Sequence, residues 1–86
     1  MIRAFPPLQP YANRSGDSGV TRYAVVGEAI VVGFEGGDCY LYDGVRPGPD
    51  EVRHMRELAV AGSGLSSYIS RHVRGRYRAR LAGRLD

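Results

Sequence analysis

The sequence predicts an α+β fold: a three-stranded antiparallel β-meander followed by two α-helices packed on one face of it. Three observations lead there. Between residues 21 and 42, short runs rich in β-branched and aromatic residues are separated by glycine-containing turns. From Pro49 onward the apolar spacing lengthens to three and four residues, the period of a helix. The chain has 86 residues, which bounds it to one domain with a modest core.

The strands are expected at 21–26, 29–34 and 38–42. Gly27 and Glu28 would form the first turn, and Gly36 and Gly37 the second. Those turns fix the faces, because directly opposed residues of an antiparallel pair point to one side. Val25 then opposes Ile30, Tyr23 opposes Val32 and Thr21 opposes Phe34, while Phe34 opposes Cys39, Val32 opposes Leu41 and Gly33 opposes Tyr40. One face holds Thr21, Tyr23, Val25, Ile30, Val32, Phe34, Cys39 and Leu41, and is the better core. The other holds Arg22, Ala24, Val26, Val31, Gly33, Tyr40 and Tyr42, which turns both tyrosines outward. A one-residue change in the second loop would reverse the last strand and bury both tyrosines instead.

The helices follow. Val52, Met55, Leu58 and Ala59 form the first apolar stripe, with Pro49, Asp50 and Glu51 suited to a first turn. The segment "GSG" at 62–64 interrupts, and Leu65, Tyr68, Ile69, His72, Val73 and, on extension, Tyr77 form the second stripe. Flanking this domain, expected at 20–77, are an irregular or disordered lead-in at 1–19, with prolines at 6, 7 and 10, and a basic tail at 78–86. The tail reads either as a strand, with Arg76, Arg78 and Arg80 on one side, or as a frayed helical extension; the extension or disorder is the expectation carried forward.

Composition narrows the setting. The net charge of +3 is uneven: residues 1–70 carry six arginines against eight acids, and residues 71–86 carry six arginines against Asp86 alone. Such a basic end attracts nucleic acid, an acidic protein patch or an anionic surface. All twelve basic residues are arginine, which suits phosphate recognition and also suits the codon bias of a GC-rich genome. Cys39 is the single cysteine, so no intrachain disulfide forms and a reducing cytoplasm is the expected setting. No apolar run approaches a membrane span, and the N-terminal prolines do not suit a signal peptide, so no membrane association is expected.

Little in the sequence points to catalysis. Cys39 has no base placed beside it, His54 and His72 lie on expected helices, and these three lack metal-ligand spacing. "GSGLSS" at 62–67 follows a helix and carries no lysine, so it reads as a connector and not as a phosphate loop. No catalytic residue, metal or cofactor is expected. Tyr40 and Tyr42 carry the binding candidate. Facing outward, with Gly33 beneath Tyr40 and Arg22 on the neighbouring strand, they would stack unpaired bases, while Arg71, Arg74, Arg76, Arg78 and Arg80 meet phosphates. The same rings also suit plain packing, an aromatic covering a strand glycine.

A spaced pattern joins these residues. Tyr23 precedes Ile30-x-Val32-x-Phe34, followed by Gly37, Tyr40-x-Tyr42, Val45 and Pro47, and later by Tyr68, Val73, Arg74 and Tyr77. Over roughly residues 20–77 this resembles the KTSC domain, a short module found at the C-terminus of some lysyl-tRNA synthetases and as a stand-alone bacterial protein. Departures are Gly64-Leu65-Ser66 in place of Ser-x-Gly, Ser70 in place of Asn, and a longer loop after Val45. The resemblance implies a binding module and does not name its ligand, although attachment to the synthetase suggests RNA. The expected function is therefore a non-catalytic module binding RNA or single-stranded nucleic acid. The competing expectation is a protein-interaction module, pairing with another protein or with itself as a homodimer.

Overall fold

The computed structural model describes residues 7–14, 16 and 18–81. Strands β1 (Gln9–Pro10), β2 (Val20–Val26), β3 (Ala29–Phe34) and β4 (Cys39–Tyr42) are followed by helix α1 (Pro49–Ala61), helix α2 (Leu65–Tyr68) and strand β5 (Ala79–Leu81). The helix of α2 continues as a π-helical turn, Ile69–Val73. All strands pair antiparallel in the order β1-β2-β3-β4-β5, so the sheet is a meander with both helices inserted before its last strand. The α+β class and the two helices agree with expectation. The strand count rises from the expected three to five, because β1 and β5 add one edge each.

The first hairpin has the expected register, with Val25 opposite Ile30 and Tyr23 opposite Val32. Beyond Arg22 a bulge intervenes, so Val20 and not Thr21 opposes Phe34. That inserts Val20 into the core and leaves Thr21 exposed.

The second hairpin departs by one residue. Cys39 opposes Gly33, Tyr40 opposes Val32, and Tyr42 opposes Ile30. The turn takes Glu35, Gly36 and Gly37: the Phe34 N–H donates to the Asp38 carbonyl at 2.8 Å, and the Gly37 N–H to the Phe34 carbonyl at 3.0 Å. Both glycines sit at positive φ, 98° and 101°, which other residues rarely adopt. Physical chemistry favours this register over the two-residue turn. The shorter turn would set Glu35 directly across from Asp38, two like charges in a cross-strand pair. It would also bury Cys39 and Leu41 in place of two tyrosines, losing the larger apolar area.

The outward placement of Tyr40 and Tyr42 is thereby corrected: both point to the helix-covered face. The main core joins Tyr23, Ile30, Val32 and Tyr42 of the sheet to Val52, Met55 and Ala59 of α1 and to Leu65, Ile69 and Val73 of the second helical segment. Phe34, Tyr40, Tyr68 and Tyr77 pack against it, half-buried. On the opposite face Ala24, Val31 and Cys39 form a smaller cluster with Leu8, Val26, Leu41 and Leu81. Cys39 is buried there and not on the helix side. His72, expected on the apolar stripe, is exposed, because the wide π turn keeps Ile69 and Val73 inward and rotates His72 out.

The helix ends explain the connections. Pro49 opens α1 with Asp50 and Glu51 in its first turn, and Gly62 closes it in the left-handed conformation, φ 82°, donating to the Leu58 and Ala59 carbonyls. The lead-in contributes here as well. The Arg14 N–H donates to the Gly62 carbonyl at 2.8 Å, and the Arg14 Nε to the Ala61 carbonyl at 2.9 Å, satisfying carbonyls at the end of α1. Tyr11 is a core residue and its hydroxyl accepts the Leu65 N–H at 3.2 Å. Packing therefore begins before residue 20. At the other end, β5 replaces the expected helical extension over Ala79–Leu81, and residues 82–86 of the expected tail lie outside the described residues.

Candidate functional site

Strand alternation assembles the site. On β4, Tyr40 and Tyr42 share the helix side, and Asp38, one period earlier, points the same way. Across the hairpin Phe34 stands beside them, and on β5 Arg80 lies directly opposite Tyr40. The chain leaving the π turn brings Arg74, Gly75 and Tyr77 over the same end of the sheet. Phe34, Asp38, Tyr40, Tyr42, Ile69, Arg74, Gly75 and Tyr77 line an open groove of about 360 Å³, and Arg80 stands outside that lining, bonded to Asp38.

Its wall is aromatic. The Tyr40 and Tyr77 rings lie 4.6 Å apart between centroids, tilted by 35°. Phe34 meets Tyr40 edge-on at 5.7 Å, and Tyr42 meets Tyr77 edge-on at 6.5 Å. Tyr42 forms the floor and is almost wholly buried. Burial, aided by the neighbouring Tyr40 and Tyr77 hydroxyls, raises the Tyr42 hydroxyl pKa well above its ordinary value.

The rim is charged. Arg80 Nη2 donates to Asp38 Oδ1 at 3.2 Å, and this bond holds the guanidinium pKa above its usual value. Arg74 has an unusual backbone. Val73, Arg74, Gly75 and Arg76 make a turn closed by the Arg76 N–H on the Val73 carbonyl at 2.9 Å. Arg74 stands at its first central position with φ 52° and ψ −123°, the geometry of a type II′ turn, where glycine is the usual occupant. The glycine comes one position later, at Gly75. A residue forced into that region costs about 1–3 kcal/mol, and such strain gathers at functional sites. The preceding π turn, where the Arg74 N–H bonds the Ile69 carbonyl, is the second such irregularity beside the groove.

The residues expected to act together are divided by the fold. Tyr40 and Arg74 line the groove with Tyr42 beneath them, and Arg80 reaches its edge through Asp38. Arg22 does not join them. It lies on the opposite face, stretched over Gly33, with Nη2 3.8 Å from the Cys39 sulfur. A Cβ on Gly33 would meet the Arg22 Nε at 3.3 Å, so the expected tyrosine-over-glycine arrangement is in fact arginine over glycine. Arg71 is exposed on the π turn, away from the groove lining. Arg76 donates to the His72 carbonyl, and Arg78 pairs with Asp43 at 3.4 Å while its N–H extends the ladder to the Leu41 carbonyl. Phe34, Asp38 and Tyr77 belong to the groove although sequence reasoning left them out. The signal that finds Phe34 and Asp38 is the three-residue turn, which puts both on one face with Tyr40.

Elsewhere, Tyr68 lies between His54 and His72, with ring centroids at 4.7 and 4.8 Å, and His54 Nδ1 is 3.6 Å from Glu57. Among the described residues no cluster of three or more His, Cys, Asp or Glu could hold a metal ion, and no helix is long and apolar enough to cross a membrane. No protein-family model, curated protein or solved structure matches the chain.

Proposed function

We propose that the protein is a small non-catalytic module that binds RNA or another single-stranded nucleic acid by holding an unpaired base in the aromatic groove. The observation that carries the reading is the meeting of Tyr40, Phe34 and Arg74 in one open groove, with Arg80 held at its edge by Asp38. Base faces stack on aromatic rings at about 1–3 kcal/mol per base, and arginine at the rim meets the flanking phosphates. A groove of about 360 Å³ falls within the range of small-ligand sites and accommodates one nucleotide. The resemblance to the KTSC domain fits a binding module. Of the arginines expected to share the work, Arg22, Arg71, Arg76 and Arg78 are left out of the groove and add only general charge.

Fluorescence anisotropy of a labelled single-stranded RNA across a salt series tests this. One phosphate contact, from Arg74, gives a slope of log affinity against log salt of about −0.7, which Arg74→Gly removes. Affinity that neither salt nor Arg74→Gly changes would count against the reading.

A second reading, a protein-interaction module, is favoured by one surface. Val25 and Val60 are 38 % and 71 % exposed beside Arg53, Arg56 and Glu57. Sedimentation velocity of the protein alone checks its self-associating form: a dimer lost in Val60→Lys supports it, and a monomer at all concentrations removes it.

A further inference from the structure

We infer that the groove selects guanine over the other bases, and that Asp38 makes the selection. This rests on the base-binding reading above and adds the identity of the base.

Asp38 is the carboxylate of the groove lining. It sits two positions before Tyr40 on the same face of the hairpin, which places the two about 7 Å apart along the strand. That spacing matches the half-width of a purine plus one hydrogen bond. A base stacked against Tyr40 therefore presents its edge to the Asp38 oxygens. An ionised carboxylate accepts hydrogen bonds and donates none. Guanine places two adjacent donors, N1–H and the N2 amino group, on its pairing edge, which suits the two oxygens of one carboxylate. Adenine offers a ring-nitrogen acceptor at the corresponding place, cytosine an acceptor beside its amino group, and uracil one N–H between two carbonyls. Each of those sets an acceptor against an acceptor.

Arg80 completes the match. Its Nη2 already lies 3.2 Å from Asp38 Oδ1, so a donor stands beside the carboxylate. The guanine edge runs donor, donor, acceptor, and the O6 acceptor falls next to N1–H. An aspartate with an arginine at its side presents the complementary row of acceptors followed by a donor. Both side chains are more than half exposed, so their mutual bond is weakly held and adjusts to a ligand without a large cost. Arg74, on the other wall, remains available for the phosphate.

The test is equilibrium binding of GMP, IMP, AMP, CMP, UMP and ribose 5-phosphate to the full chain at one low salt concentration, repeated with Asp38→Asn. The expected result is GMP tighter than AMP by about tenfold, with IMP intermediate because it lacks the N2 amino group. Asp38→Asn should bring GMP down to the level of AMP while AMP itself is little changed. Near-UV circular dichroism shows whether that variant keeps its fold, which the exposure of Asp38 favours. Equal binding of all five nucleotides, each tighter than ribose 5-phosphate, overturns the guanine inference and leaves the base groove standing, whereas binding no tighter than ribose 5-phosphate overturns both. Full preference for GMP retained in Asp38→Asn overturns the role given to Asp38. Binding of none overturns both this inference and the function it rests on.

Discussion

The backbone N–H of Leu65, the first residue of α2, donates to the buried hydroxyl of Tyr11 at 3.2 Å, across 54 positions of the chain. The N-terminus of α2 has no side-chain cap of its own, since Gly64 precedes it. Tyr11 supplies the acceptor from another part of the molecule. Its ring also meets Tyr23 edge-on at 6.5 Å, so one residue ties the lead-in to the sheet and to the helix. Tyr11→Phe keeps the ring and removes the acceptor, leaving a buried N–H without its partner. The expected cost is about 1–3 kcal/mol, read as a lower urea midpoint with unchanged slope.

Arg74 carries strain that glycine would relieve. Arg74→Gly is expected to raise stability by about 1 kcal/mol and to weaken anion binding at the groove together. The pair of measurements is thermal unfolding and RNA anisotropy on the same preparation. A loss of stability would show that the turn tolerates arginine without strain.

At the end of α1, a Cβ on Gly62 would lie 2.6 Å from the Ala12 Cβ, and φ is 82°. Gly62→Ala therefore combines a backbone penalty with a clash against the lead-in, and should cost at least about 2 kcal/mol in chemical denaturation. Adding Ala12→Gly removes the clash and leaves the backbone term. The double variant should recover part of the loss and not all of it, which a double-mutant cycle resolves.

Burial raises the Tyr42 hydroxyl pKa, with a definite consequence for alkaline stability. Below about pH 10 the hydroxyl is neutral in both the folded and unfolded chain, and its contribution is fully present. Above that, the unfolded chain ionises while the folded chain keeps the proton, so stability falls as pH rises toward the folded value. Urea midpoints taken from about pH 8 to about pH 11 should fall less steeply in Tyr42→Phe than in the parent. Parallel curves would remove Tyr42 as the group responsible.

Elements whose signal is local were legible in the chain itself. The β2–β3 hairpin follows from alternation around Gly27 and Glu28, and α1 from Pro49, two acids, a stripe at three and four residues, and Gly62. The Tyr40-x-Tyr42 pair stands out in the chain as the binding candidate, and both residues line the groove. The face it occupies was not legible, because strand side chains alternate with period two and one extra loop residue reverses them all.

What remained hidden depends on partners far along the chain. The alternation around Ala79–Leu81 suits a strand and a helical extension alike, and the strand forms because β4 offers an edge to pair with. Tyr11 reads as one aromatic among prolines and polar residues until a helix N-terminus needs its hydroxyl. Arg22 and Arg80 carry the same charge in the sequence. The sheet sends one beneath, over Gly33 toward Cys39, and sets the other beside Asp38 at the groove. Composition and periodicity settled the class, the helices and the residue types available for binding. Which of those residues meet was decided by the three-residue turn at Gly36 and Gly37 and by the return of the chain along β4, since only tertiary pairing converts sequence position into a shared face.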